Sequence, residues 1–99
     1  MALLEITVVP LGTGDTSVSK YVAACHKVLE KEDGIKYQLT PMATVIEGDI
    51  DRLFEVAKKL HNVPFSEGAM RVSTSMKIDD RRDKEATIEG KIESVKSKL

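Results

Sequence analysis

Several residues in this chain have types and spacings that could do chemistry, and each also has a plainer reading. Leu-Gly-Thr-Gly-Asp-Thr-Ser-Val-Ser, at positions 11–19, looks like a phosphate loop. It follows the apolar run LLEITVVP and opens into the helical pattern SVSKYVAACHKVLEK. Helix N-termini attract anions because their first N–H groups are unpaired and the dipole is positive there. A Walker loop, however, needs four residues between its glycines and then Lys-Ser/Thr, and a dinucleotide fingerprint needs a third glycine. Here Gly12-Thr13-Gly14 runs into Asp15-Thr16-Ser17, and Asp15 would repel a phosphate held close by. Two readings stay open: a glycine turn ending in a helix cap, or a contact to a neutral or cationic ligand.

Met-Ala-Thr-Val-Ile-Glu-Gly-Asp, at positions 42–49, places Glu47 at a strand end just before a helix start. A carboxylate there can cap the helix, complement its dipole, or accept from an amino group on a ligand. Thr44 precedes it by three residues, so strand alternation sends the two to opposite faces unless a bulge intervenes. The charged turn Asp-Asp-Arg-Arg-Asp-Lys reads as a solvated, salt-bridging loop, with Arg71 a surface residue on the strand before it. Cys25 falls on an apolar helix stripe and reads as a small buried hydrophobe. His26 and His61 are single and far apart, and no His-x-x-x-His or Cys-x-x-Cys spacing supports a metal site. No Ser-His-Asp set or matched carboxylate pair can be asserted from spacing, so nothing here argues for catalysis.

The elements that must position these residues follow from periodicity. Leu4, Ile6 and Val8 alternate with Leu3, Glu5, Thr7 and Val9, which predicts a half-buried strand closed by Pro10. Val18, Tyr21, Val22, Cys25, Val28 and Leu29 predict a helix over residues 17–31, capped by Asp15, Thr16 or Ser17 and stopped at Asp33-Gly34. Two short strands follow over residues 35–47, divided by Pro41 into a loose hairpin or one bent ribbon. Asp49 caps a second helix carrying Ile50, Leu53, Phe54, Ala57 and Leu60, which the loop Asn-Val-Pro-Phe-Ser-Glu-Gly closes. Residues 70–79 alternate again, with Val72, Thr74, Met76 and Ile78 opposite Ser73, Ser75 and Lys77. A last helix carries Ile88, Ile92, Val95 and Leu99 on one stripe.

The order β-α-β-β-α-β plus a C-terminal helix predicts an α+β, ferredoxin-like sandwich in a single domain over residues 1–99. Its two main helices cover one face of an antiparallel sheet. The other face, with Glu5, Thr7, Val9, Ser73, Ser75 and Lys77, is mixed and has no obvious cover. That face and the apolar stripe of the last helix predict a homo-oligomer.

Composition bounds the function. Fifteen basic and sixteen acidic side chains leave a net charge of -1, which supplies no long-range attraction for nucleic acid or anionic membranes. The N-terminal apolar run is too short for a membrane span and lacks the basic flank of a signal peptide. The single cysteine cannot form an internal disulfide, and a cytoplasmic location is expected.

Four segments together resemble the YkoF-like thiamine-binding protein family. They are VVPLGTGDTSVSKYV, YQLTPMATVIEGD, RVSTSMKIDDRRDK and the closing KIESVKSKL. The elements Pro-Leu-Gly-x-x-x-x-Ser, Thr-x-x-Glu-Gly and Ile-Asp-x-Arg carry the likeness across nearly the whole chain. The resemblance implies a ferredoxin-like fold, dimers that pair into tetramers, and non-catalytic binding of thiamine or its hydroxymethylpyrimidine portion, with no cofactor. It implies contacts from Pro10, Gly12, Thr13 and Ser17 in the first turn, and from Thr44 and Glu47 on the central strand. Ser73 or Ser75 would add hydroxyls if the open sheet face lines the site. A structural or regulatory oligomeric module without a vitamin ligand is the alternative, and an enzyme acting on a small metabolite is weaker still.

Overall fold

Period-two alternation in the first ten residues organises the whole domain, because the strand it makes becomes a central one. The computed structural model describes residues 1–99, in the order β1 (Ala2–Leu11), α1 (Ser19–Glu30), β2 (Lys36–Leu39), β3 (Thr44–Gly48), α2 (Ile50–Ser66), β4 (Arg71–Asp79) and α3 (Ile88–Lys96). The strands form one antiparallel sheet in the order β2-β3-β1-β4, which is the ferredoxin-like arrangement. β2 and β3 pair as a hairpin, with Leu39 opposite Thr44.

Register decides which residues share a face. Ile6 pairs with both Thr44 and Met76, and Leu4 with both Ile46 and Ile78, so these look toward α1 and α2. Leu4, Ile46, Leu53 and Val56 are fully enclosed there, with Leu29 and Leu60 beside them. α2 packs against β1, β3 and β4, whereas α1 approaches chiefly α2. An ionic clasp ties the two helices, since Glu32 at the end of α1 meets Arg52 and Lys59 of α2. Those two cations hold the Glu32 carboxyl below its ordinary range.

Three sequence expectations change. α1 starts at Ser19, and its N-cap, Val18, has no side-chain hydrogen bond. The Asp15 carboxylate is engaged one step earlier, where Oδ1 accepts from the Ser17 N–H at 3.0 Å. Gly12 and Gly14 take φ values of 74° and 76°, so this loop bends through left-handed conformations that favour glycine. α2 also runs on through Pro64 to Ser66, where the sequence predicts a loop. Proline has no N–H for the carbonyl four residues back, which is that of Leu60. The Cys25 thiol donates to that carbonyl instead, at 3.8 Å, so α1 compensates for the break in α2.

The third change concerns the open sheet face. Lys36, Glu47, Leu3 and Asp79 form a row across all four strands on that side. α3 sits over this row: Lys36 pairs with Glu89 at 3.8 Å and Lys91 with Asp79 at 2.7 Å. Leu3 and Ala86 are buried at this corner. The rest of the face, including Glu5, Ser73, Ser75 and Lys77, stays exposed. α3 itself buries no residue, and Val95 is 61% exposed.

Candidate functional site

Small side chains on α1 create the site. Ser19, Ala23 and Cys25 line the space where α1 passes over the sheet, and Ala43 and Thr44 line it from the β2–β3 hairpin. None is long enough to close the gap. The result is a cavity of about 820 Å³, lined mainly by aliphatic groups such as Ile6, Val8, Val22 and Leu39. Ligand sites typically span roughly 300–1,000 Å³ and combine apolar walls with a few polar groups. Well-packed interiors leave no such space.

The polar groups in the lining are hydroxyls, one thiol and one imidazole. His26 Nε2 lies 3.2 Å from Thr44 Oγ1, and the imidazole stands edge-on to the Tyr37 ring, with centroids 5.6 Å apart. The Thr40 hydroxyl donates to the Ala43 carbonyl at 2.8 Å and accepts from the Ala43 N–H at 3.1 Å, which closes the hairpin turn. The Thr7 hydroxyl donates to the Met42 carbonyl at 3.3 Å and holds the same turn from below. Ser17 and Ser19 share a hydrogen bond at 3.2 Å. Burial pushes the Cys25 thiol up, which disfavours the nucleophilic thiolate. No aspartate, glutamate, lysine or arginine lines this space.

A smaller recess adjoins it and shares Ser17 and Ser19. It is bordered by Thr13, Asp15, Lys20 and Tyr21. The Lys20 ammonium sits over the Tyr21 ring, 4.9 Å from its centroid.

The residues singled out in the sequence divide between two faces of the sheet. Thr44 and Ser17 line the cavity, and Thr13 borders the recess. Gly12 shapes the loop between β1 and α1. Pro10 is buried at the end of β1 and pairs with Val72. Glu47, Ser73 and Ser75 lie on the opposite face, so the structure does not bring them together with Thr44. Glu47 is only 4% exposed, and its Oε1 accepts from the Ile88 N–H at 2.8 Å. Its carboxylate therefore serves the first turn of α3, while Asp49 caps α2 by accepting from the Asp51 N–H. The charged turn after β4 is the salt-bridging loop expected of it: Arg82 pairs with Asp80 and Arg81 with Asp83.

Sequence reasoning missed His26, which was weighed only as a metal ligand. The available signal was helical spacing: Val22, Cys25, His26 and Leu29 all fall on the inward side of α1.

Fold and site define a ferredoxin-like domain with a ligand-sized apolar cavity between its first helix and its sheet. The family follows from comparison. A family profile described as thiamine-binding protein matches residues 4–96, and the chain belongs to that family. The UPF0045 protein YqgV of Bacillus subtilis is 52% identical over 102 residues, covering 100% of this chain and 98% of its own. A UPF0045 protein of Methanothermobacter thermautotrophicus is 44% identical, with 100% of both chains covered. The solved structure of the MJ1052 protein of Methanocaldococcus jannaschii superposes with a TM-score of 0.86 at 40% identity, covering 96% of this chain and 95% of that one. A Thermotoga maritima protein provisionally assigned to thiamine biosynthesis or salvage shares the fold, with a TM-score of 0.76 at 23% identity over 95% and 97% of the two chains.

Proposed function

We propose that the cavity between α1 and the β2–β3 hairpin binds thiamine or its hydroxymethylpyrimidine portion without transforming it. The observation that carries this reading is the cavity itself, apolar-walled with hydroxyl and imidazole groups, in a chain of the thiamine-binding family. A flat pyrimidine suits aliphatic walls such as Val8 and Val22, and its polar edge suits hydroxyl and imidazole partners. Ser17 and Thr44 are the contacts proposed from the lining, with Thr13 and Asp15 toward the adjoining recess. Asp15 there would favour the cationic thiazolium. Gly12 acts through the loop it shapes, and Pro10 through the end of β1 that leads into it. Contacts from Glu47, Ser73 and Ser75 would require a second surface on the opposite sheet face.

Non-catalytic binding belongs to this reading, and the Cys25 thiol, pushed up by burial and engaged with the Leu60 carbonyl, is not poised as a nucleophile. A homo-oligomer, dimer or tetramer, belongs to the same reading, supported by the exposed Val95 and Leu99 of the C-terminal segment. A cytoplasmic location belongs to it too, supported by the single, free thiol. No helix is long and apolar enough to cross a membrane.

Titration calorimetry with thiamine and with hydroxymethylpyrimidine tests the ligand. Saturable heat with either compound is expected. No binding of either up to millimolar concentration would overturn the proposal. Equilibrium sedimentation tests the assembly, and a monomer at micromolar concentration would remove it.

A further inference from the structure

The polar groups of the cavity are not equally available to a ligand. Thr40 is engaged twice within its own turn, and the Thr7 hydroxyl is taken by the Met42 carbonyl. The Cys25 thiol is taken by the Leu60 carbonyl. Ser17 and Ser19 hold each other at the mouth. His26 differs from all of these. Its Nε2 is fixed by Thr44, while Nδ1 has no partner within the chain. No buried side-chain nitrogen or oxygen is left unsatisfied, so Nδ1 is open to the space beside it.

The imidazole is also held in place. Thr44 grips one nitrogen, and the edge of the Tyr37 ring fixes the plane. A group held in this way loses little freedom when it meets a ligand. The Thr44 hydroxyl both donates and accepts, so it supports either neutral tautomer of the ring. In the tautomer whose Nε2–H donates to Thr44, Nδ1 is an acceptor, on a residue that lines the cavity.

From these contacts we infer that His26 is the specificity-determining residue of the cavity: Nδ1 accepts from an exocyclic amino group on a planar nitrogen heteroaromatic ligand. Thr44 is its positioning residue, because it holds Nε2 and leaves Nδ1 free. This rests on the proposed binding of thiamine-like compounds and names the group that selects among them. An unpaired buried acceptor is costly, so a ligand lacking the amino group is disfavoured even where its ring fits.

The test uses two probes, hydroxymethylpyrimidine and its analogue with hydrogen in place of the amino group. The wild-type chain is expected to prefer the amino compound by about tenfold, the scale of one hydrogen bond in an apolar site. His26→Phe keeps a flat ring against Tyr37 and should bind both probes equally, at the weaker level. His26→Gln should recover part of the preference, which separates hydrogen bonding from loss of fold. Thr44→Val should reduce the preference, Thr44→Ser should restore it, and the ring ¹⁵N resonances of His26 should report the tautomer in each. Preference intact in His26→Phe would overturn this inference and leave the proposed function standing. Failure of the wild type to bind either probe would overturn this inference, and failure to bind thiamine as well would overturn the proposed function.

Discussion

The two halves of the helical layer are built from similar parts and end differently. α2 presents Leu53, Val56, Ala57 and Leu60 to the sheet, and all four are buried. α1 presents Val22, Cys25 and His26, with Ser19 and Ala23 nearer its start, and leaves a cavity. The helices are joined to each other by the Glu32–Arg52–Lys59 clasp and by the Cys25–Leu60 contact. α1 buries Tyr21, Cys25 and Leu29, yet the space beside Val22 and His26 stays unfilled. A binding space arises from a size mismatch rather than from any special motif.

The sharpest way to break this contrast is to truncate each half in turn. Leu53→Ala should destabilise the fold by about 2–5 kcal/mol, because a fully enclosed side chain is removed. Val22→Ala, beside existing empty volume, should cost less than about 1 kcal/mol. Urea denaturation measures both, and equal losses would mean the halves are equally packed.

Enlarging side chains tests the same contrast from the other direction. Ala57→Leu should cost about 1–3 kcal/mol through overpacking. Ala23→Leu should leave stability within about 1 kcal/mol and weaken binding of hydroxymethylpyrimidine at least tenfold by occupying its space. Calorimetry that finds full binding in Ala23→Leu would place the ligand elsewhere.

Glu47 sharpens a second contrast, between the two sheet faces. Glu47→Gln should cost about 1 kcal/mol by weakening the bond to the Ile88 N–H at the start of α3. It should leave ligand affinity unchanged. Loss of affinity in this variant would bring the opposite face into the site.

The smallest effect concerns the loop after β4. Its hydrogen bonds to Arg81 lower the Asp83 carboxyl from 3.8 to about 2. A carboxyl depressed in the folded state contributes stability above its unfolded value and loses it as pH falls. The wild type should therefore lose slightly more stability between about pH 4 and pH 2 than Asp83→Asn, and added salt should narrow the gap. Denaturation midpoints across that range measure it.

Much of this was legible in the residues themselves. Alternation in β1 and β4 and the apolar stripes of α1 and α2 predict the element order, and short connections leave few topologies for it. The opposition of Thr44 and Glu47 follows from the period of a strand, and the register keeps it. The partner of Glu47 was not legible, because α3 begins forty-one residues later along the chain. Pro64 misled for a similar reason. A proline predicts a helix end only when the carbonyl it leaves unpaired has no other donor, and Cys25 supplies one from thirty-five residues away. Asp15 and the hydroxyls near it resemble a helix cap, yet loop geometry directs the carboxylate to the Ser17 N–H.

The opening phosphate-loop likeness resolves in the same way. Local composition settles what the segment lacks: a lysine, a third glycine and a tolerance for phosphate beside Asp15. Local periodicity settles which faces are apolar, since side-chain direction depends only on the period of the backbone. Where α1 comes to rest above the sheet depends on α2, the clasp and the thiol contact, all of them distant in sequence. The cavity exists because those long-range contacts fix a separation that small residues on α1 cannot close.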